Sequence, residues 1–162
     1  MKKSKSYKEF KKNLLIENSI DVGGNFPEIY FENSQIITKN NFKKYNLTLI
    51  DYWSTTCKPC ITDLPKLVQL FNKYKDFNIN FISIADEQNP ERITLALNIL
   101  KNNNVIWENY VDTKKDFQKK LNASGYPLQI LIDNNGKIIM KEYGEIDLII
   151  KKIDEYIYKN KD

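Results

Sequence analysis

One short stretch, in which an apolar run leads into two cysteines, constrains the fold of this chain more than any other. The apolar run extends from Leu47 to Trp53, and Cys57 and Cys60 follow it with a Cys-x-x-Cys spacing. Such a run suits a central strand that is covered on both faces. After Cys60, apolar residues recur at helical spacing (Ile61, Leu64, Leu67, Val68, Leu70 and Phe71). The sequence therefore predicts a buried strand, a turn with both cysteines, and a helix that begins at that turn.

The predicted position of Cys57, just before the first turn of a helix, favours the thiolate form of its side chain. Helix N-terminal N–H groups and the helix dipole stabilise an anion there, and Lys58 adds a nearby positive charge. Cys60 falls in the first turn, where we expect it to be more buried and able to attack a mixed disulfide on Cys57. The spacing thus indicates a redox-active dithiol.

Three other interpretations of the cysteine pair have less support. A structural disulfide across two residues would constrain almost no chain entropy. A metal site would need more ligands than two thiolates, and the sequence contains no histidine. Two unrelated buried cysteines would not need a strand-to-helix setting. We therefore expect no metal and no cofactor, and the absence of histidine also excludes a catalytic Ser-His or Cys-His pair.

Length and composition fit one globular domain with a real core. The chain has 162 residues, of which 41% are hydrophobic and 28% are charged. Its net charge of +4 is spread along the chain and Arg92 is the only arginine, so no nucleic-acid partner is expected. No stretch approaches the roughly 18 apolar residues of a membrane span, so we expect no stable membrane insertion of this segment.

Predicted strands and helices alternate along most of the chain. Residues 1–21 are predicted to be an N-terminal arm or short helix, and residues 22–162 to be the single domain. Strand, helix and strand over 47–85 should form a parallel βαβ unit. The remaining predicted elements are a small hairpin over 28–38, a helix over 91–101, a strand over 105–111, a short helix over 113–121, a hairpin over 128–141 with Asn-Gly in its loop, and a terminal amphipathic helix over 146–157.

The segment from Asp51 to Cys60 resembles the active-site segment of thioredoxin-fold proteins. It reads Asp-Tyr-Trp-Ser-Thr-Thr-Cys-Lys-Pro-Cys. Tyr126-Pro127 resembles the cis-proline turn that faces the dithiol in that fold. The N-terminal hairpin and the helix-strand insertion around residues 90–111 are similar to the TlpA/ResA-like branch. The resemblance covers about residues 22–160 and implies an α/β fold with a central mixed β-sheet and helices on both faces.

The resemblance also implies roles for three residues of the site. Cys57 would be the attacking cysteine and Cys60 the resolving one. Asp51 matches the buried acid beneath the dithiol of classical thioredoxins. A carboxyl group in an apolar strand should have a raised pKa and could exchange a proton with Cys60. An acid in solvent at the end of the strand is the alternative interpretation of Asp51.

A substrate groove is expected beside the dithiol, formed by Tyr126, Pro127, Trp53, Lys58 and Thr56. Pro127 would shape it and present backbone hydrogen bonds to an extended peptide. Thr56 replaces the tryptophan that usually precedes the first cysteine, which predicts a smaller and more polar groove. A place in the core is favoured for most of the large aromatic residues, and Tyr126 is the one expected at the surface.

Asp86 and Glu87 follow the second predicted strand and could place another carboxylate near the dithiol. In the ResA-like branch an acid in this region contributes to the site. A solvated loop is nevertheless the preferred interpretation of these two residues.

The function that these residues indicate is thiol-disulfide exchange with protein cysteines, as a reductant in preference to an oxidant because of Asp51. The expected partners are protein thiols or disulfides and an upstream electron donor, and we expect a monomer. One alternative is a thiol peroxidase of peroxiredoxin type. Ser54 fits that site, but Ile50 occupies its proline position and Arg92 is the only arginine. Another alternative is a binding module in which the dithiol is incidental.

The N-terminus favours no single location for the protein. Residues 1–5 resemble the charged start of an export signal, but the apolar stretch that follows is only Leu14 to Ile16. We expect a place in the cell envelope or periplasm, with the export signal or anchor missing from this chain. A cytoplasmic protein is the alternative.

Overall fold

A five-stranded sheet with β3 at its centre organises the computed structural model, which describes residues 21–160. The predicted N-terminal arm therefore lies outside the described residues except for Asp21. The described strands and α-helices are β1 (Ile29–Tyr30), β2 (Ile36–Ile37), β3 (Leu47–Trp53), α1 (Lys58–Tyr74), β4 (Ile79–Ala85), α2 (Pro90–Asn102), β5 (Glu108–Val111), α3 (Asp116–Lys120), β6 (Leu128–Asp133), β7 (Ile138–Tyr143) and α4 (Ile146–Lys159).

The sheet is mixed, with the strand order β5-β4-β3-β6-β7. Strands β3, β4 and β5 are parallel, whereas β6 is antiparallel to β3 and β7 is antiparallel to β6. All seven residues of β3 are buried, as expected for a strand with neighbours on both sides and layers on both faces. The short β1–β2 hairpin forms a separate antiparallel pair.

Alternation along β3 directs its side chains into two cores on opposite faces of the sheet. Leu49 and Trp53 join the core formed with α1, α2 and α4. Ile50 and Tyr52 join the other core, which contains the β1–β2 hairpin and α3. The predicted mixed sheet, with helices on both faces, an N-terminal hairpin and a helix-strand insertion, is thus confirmed.

Two elements are shorter than the sequence predicts. Strand β5 begins at Glu108 and not at Val105, because α2 ends through a left-handed residue at Asn104 and the Val105 N–H still bonds back to the helix. Helix α3 begins at Asp116 and not at Thr113. The preceding turn contains a left-handed residue, Lys115, with φ of 57°.

Strands β3 and β4 end at the same edge of the sheet because they are parallel. Trp53 lies opposite Ala85 in their register, and the Asp86 N–H donates to the Trp53 carbonyl at 2.8 Å. The turn that leads into α1 is therefore placed beside the residues that follow β4.

Candidate active site

Cys57 and Cys60 form a disulfide at the N-terminus of α1, with an S–S distance of 2.05 Å. Cys57 is the N-cap residue, and the Cys60 N–H donates to its Sγ at 3.2 Å. Cys60 is only 2% exposed, less than Cys57 at 9%. The predicted setting of the two cysteines is confirmed. When the disulfide is reduced, the same N–H group and the helix dipole stabilise a thiolate on Cys57.

A single carboxylate oxygen holds the turn that precedes Cys57. Oε1 of Glu87 accepts from the Thr55 N–H at 2.6 Å, from the Thr55 hydroxyl at 2.7 Å and from the Ser54 hydroxyl at 3.0 Å. Nη1 of Arg92 donates to the Thr55 hydroxyl at 2.9 Å. Glu87 is 3% exposed, so the interpretation of a solvated loop is wrong here. Because β3 and β4 end side by side, Glu87 faces the turn and not the solvent.

Asp86 is also buried, and it connects the end of β4 to the proline turn. It accepts hydrogen bonds from the Tyr126 hydroxyl and from the Gln88 side-chain amide. Lys115 places its Nζ 3.7 Å from the same carboxylate. Burial, together with the bond to Asp86, raises the pKa of the Tyr126 hydroxyl. The hydroxyl therefore stays protonated near neutral pH and acts as a donor to Asp86.

Asp51 lies in β3, at 5% exposure, on the same face of the strand as Leu49 and Trp53. Burial raises its pKa to about 7. The Gln129 side-chain amide, whose Nε2 donates to Asp51 Oδ1 at 3.4 Å, opposes that shift, and the negative charge of Asp63 adds to it. The expected raised pKa is confirmed, and the alternative of a solvent-exposed acid is wrong. Asp63, half-buried in α1, was not singled out from the sequence.

The residues expected to form the groove divide into two groups. The Tyr126–Pro127 peptide bond is cis, as predicted. Tyr126 is half-buried, Pro127 is buried, and Thr56 and Lys58 are exposed on either side of Cys57.

Trp53 does not line this surface. It is 0% exposed and belongs to the core that also contains both cysteines. Its indole Nε1 has no hydrogen-bond partner among residues 21–160. The expected contact between Trp53 and a substrate is therefore wrong, because its place in the alternation of β3 turns the ring beneath α1.

The surroundings of Ser54 and Arg92 do not favour the peroxidase interpretation. The Ser54 hydroxyl donates to Glu87, and Arg92 donates to Thr55. Both groups that could have served a peroxidatic cysteine are thus engaged with the turn that precedes Cys57.

Residues 21–160 contain no cluster of three or more His, Cys, Asp or Glu side chains that could hold a metal ion. Within the same range, no helix combines the length and apolar character that crossing a bilayer requires.

Comparison with known proteins identifies the family. The model of a family described as thioredoxin-like matches residues 44–138. The chain is 25% identical over 151 residues to the thiol-disulfide oxidoreductase ResA of Bacillus thuringiensis subsp. konkukian, with 88% of this chain and 80% of that protein covered. A ResA protein of Bacillus cereus is similar to the same extent. The chain belongs to the thioredoxin-like family.

Two solved structures show the same fold. A thiol:disulfide interchange protein from Bacteroides sp. superimposes with a TM-score of 0.70 at 23% identity, over 89% of this chain and 95% of that chain. The thioredoxin domain of a thiol-disulfide oxidoreductase from Bacteroides vulgatus gives a TM-score of 0.69 at 21% identity, over 85% and 98% of the two chains.

Proposed function

We propose that the protein is a thiol-disulfide oxidoreductase that reduces disulfides of other proteins through Cys57 and Cys60. The observation that carries this proposal is the Cys57–Cys60 disulfide at the N-terminus of α1. The buried Asp51 of β3 and the cis Tyr126–Pro127 turn are the other parts of the proposed active site.

The reaction begins from the reduced dithiol. The Cys57 thiolate attacks one sulfur of a substrate disulfide, which forms a mixed disulfide and releases one substrate thiolate. Asp51 then takes the proton from Cys60, and the Cys60 thiolate attacks Cys57 Sγ. The mixed disulfide breaks, the Cys57–Cys60 disulfide forms, and the second substrate thiolate leaves. Two electrons pass to the substrate, and its two thiolates take up protons.

An extended segment of the substrate protein would lie between the cis turn and the start of α1. Tyr126 and Pro127 would form one side of that groove, and the exposed Thr56 and Lys58 the other. The short polar side chain at residue 56 leaves room beside Cys57 that a tryptophan would fill. We assign these four residues to substrate contact and leave Trp53 out.

An upstream dithiol donor must restore the reduced form after each turnover. We place this exchange on the outer side of the cytoplasmic membrane, which is where an interchange protein meets oxidised substrates. The ResA relatives are named thiol-disulfide oxidoreductases, which supports the exchange itself. We take the protein to act as a monomer.

Reduction of insulin disulfides by dithiothreitol tests the proposal. We expect the wild-type protein to accelerate the reaction and Cys57→Ser to abolish that acceleration, because the attacking sulfur is lost. Cys60→Ser should instead accumulate a mixed disulfide on Cys57, which mass spectrometry detects after incubation with an oxidised substrate protein. Full activity of Cys57→Ser would overturn the proposal.

A further inference from the structure

A row of polar side chains crosses the sheet beneath the dithiol, and Asp51 lies at its centre. In the sheet register Asp51 is opposite Ser83 of β4 on one side and Gln129 of β6 on the other. The Ser83 hydroxyl accepts from the indole N–H of Trp107 at 2.9 Å. The polar neighbour that bonds to Asp51 within the described residues is therefore Gln129.

Only the nitrogen of the Gln129 side-chain amide forms a hydrogen bond among residues 21–160. Its Nε2 donates to Asp51 Oδ1 at 3.4 Å, whereas its Oε1 is buried and has no hydrogen-bond partner among residues 21–160. The residue is 1% exposed. A buried carbonyl oxygen without a donor destabilises the folded state. Asp51 lies beside Gln129, and its carboxyl group can become a donor when it gains a proton.

We propose that Gln129 is a positioning residue that holds Asp51 in both of its protonation states. The ionised carboxylate accepts from the Gln129 Nε2 group, as in the structure. The protonated carboxyl donates its O–H to Gln129 Oε1, after the amide or the carboxyl rotates. Each state then has one hydrogen bond, and the buried amide oxygen is satisfied when Asp51 carries its proton.

The charged groups near Asp51 are themselves acids, so the hydrogen bond that holds Asp51 comes from Gln129. Asp63 on α1 is the charged side chain that acts on it from the helix above. Glu142 of β7 is half-buried and lies opposite Gln129 in the register. Both are acids, so neither can donate to the carboxylate in its ionised form. Proton exchange between Asp51 and Cys60 rests on the proposed function, whereas the pairing of Gln129 with Asp51 is independent of it.

The first test compares Gln129→Leu with wild type by carbon-13 NMR titration of the Asp51 carboxyl in the oxidised protein. Leucine has a similar size but neither a donor nor an acceptor. A charge-assisted bond to the carboxylate is stronger than a neutral bond to the acid. Its loss should therefore raise the midpoint of Asp51 by about one pH unit, a tenfold change in proton affinity.

Thr48→Val is the matched control. The Thr48 hydroxyl is another buried group that has no hydrogen-bond partner among residues 21–160, Asp51 included, and it lies on the same strand. This variant should leave the Asp51 midpoint unchanged. An unchanged midpoint in Gln129→Leu as well would overturn the proposal.

A second measurement needs no variant at residue 129. The side-chain amide resonances of Gln129 in the wild-type protein should shift with pH at the Asp51 midpoint, and that shift should vanish in Asp51→Asn. Amide resonances that stay constant through the midpoint would contradict the proposal. Because both titrations use the oxidised protein without turnover, their outcome is independent of whether Asp51 serves Cys60.

Discussion

Two buried carboxylates, Asp51 within β3 and Glu87 just after β4, differ in what surrounds them. Glu87 has three donors on one oxygen, at 2.6, 2.7 and 3.0 Å. Within the described residues, Asp51 accepts from one amide group, that of Gln129, at 3.4 Å. Burial raises the pKa of Asp51 to about 7, because one long hydrogen bond replaces little of the lost hydration. Burial alone therefore does not define the role of a carboxyl group. The number of hydrogen-bond donors around the carboxyl group defines it.

The two acids therefore have different surroundings. Glu87 accepts three hydrogen bonds that hold the turn before Cys57. Asp51 is able to gain or lose a proton near neutral pH at little cost, which suits a group that serves Cys60. Substitutions of Asp51 and Glu87 test the contrast, and a third substitution tests a neighbouring buried carboxylate, Asp86.

The largest effect on stability is expected for Asp51→Asn. The folded protein binds the Asp51 proton more tightly than the unfolded chain, because the pKa rises from 3.8 to about 7 on folding. The unfolding free energy of the wild type should therefore fall as pH rises through that window, by about 4 kcal/mol in total. Asn removes this loss. The variant should match wild type at about pH 4 and exceed it above pH 7, measured by urea unfolding of the oxidised proteins.

Asp147→Asn is the control for this pH dependence, because Asp147 is exposed and pairs with Lys66 at the surface. Its stability curve should follow that of wild type. If the unfolding free energies of Asp51→Asn and wild type changed with pH in parallel, the pKa of Asp51 would not be raised in the folded protein. The distinction drawn above for Asp51 would then be wrong.

Glu87→Ala should have the next largest effect and the opposite sign. It removes the carboxylate that accepts from the Thr55 N–H, the Thr55 hydroxyl and the Ser54 hydroxyl, which costs about 2–3 kcal/mol of unfolding free energy. The same variant should slow attack by Cys57 on a small disulfide, because the turn before it is no longer held. Glu91→Ala, an exposed acid in the first turn of α2, is the matched control and should change stability by less than about 1 kcal/mol. Equal effects of the two variants would refute the structural role of Glu87.

Tyr126→Phe should have the smallest effect of the three. It removes one hydroxyl donor from Asp86, which keeps its contacts with Gln88 and Lys115. We expect a loss of about 1 kcal/mol in unfolding free energy. Tyr30→Phe removes an exposed hydroxyl that bonds to Glu28 and should cost nothing measurable. A cost for Tyr126→Phe no greater than that of the control would mean that the bond to Asp86 does not hold the cis turn.

The parts of the site that the sequence could predict are those set by local pattern. The strand, the Cys-x-x-Cys turn and the helix are continuous along the chain, so spacing alone placed Cys57 and Cys60. The cis turn at Pro127 came from a family resemblance. The role of Asp51 also came from that resemblance, and its place inside an apolar run predicted the raised pKa.

The contacts that sequence reasoning missed join residues far apart in the chain. Glu87 meets Thr55 across 32 positions, and Gln129 meets Asp51 across 78. Only the register between strands decides such pairs, and a register cannot be read from one strand at a time. The clue available for Glu87 was its place directly after a strand predicted to lie parallel to the one before Cys57. The predicted contact between Trp53 and a substrate rested on residue type. The alternation of side chains along β3 places the ring in the core.

The most direct test of the central claim is the rate at which Cys60 resolves a mixed disulfide on Cys57. Stopped-flow reaction of the reduced protein with an aromatic disulfide resolves two releases of coloured thiolate, and the second reports Cys60. We expect its rate to rise with pH around a midpoint near 7, the pKa of Asp51, and to fall by about a hundredfold at neutral pH in Asp51→Asn. A second phase with the same rate and pH profile in both proteins would contradict the assignment of Asp51 as the base for Cys60.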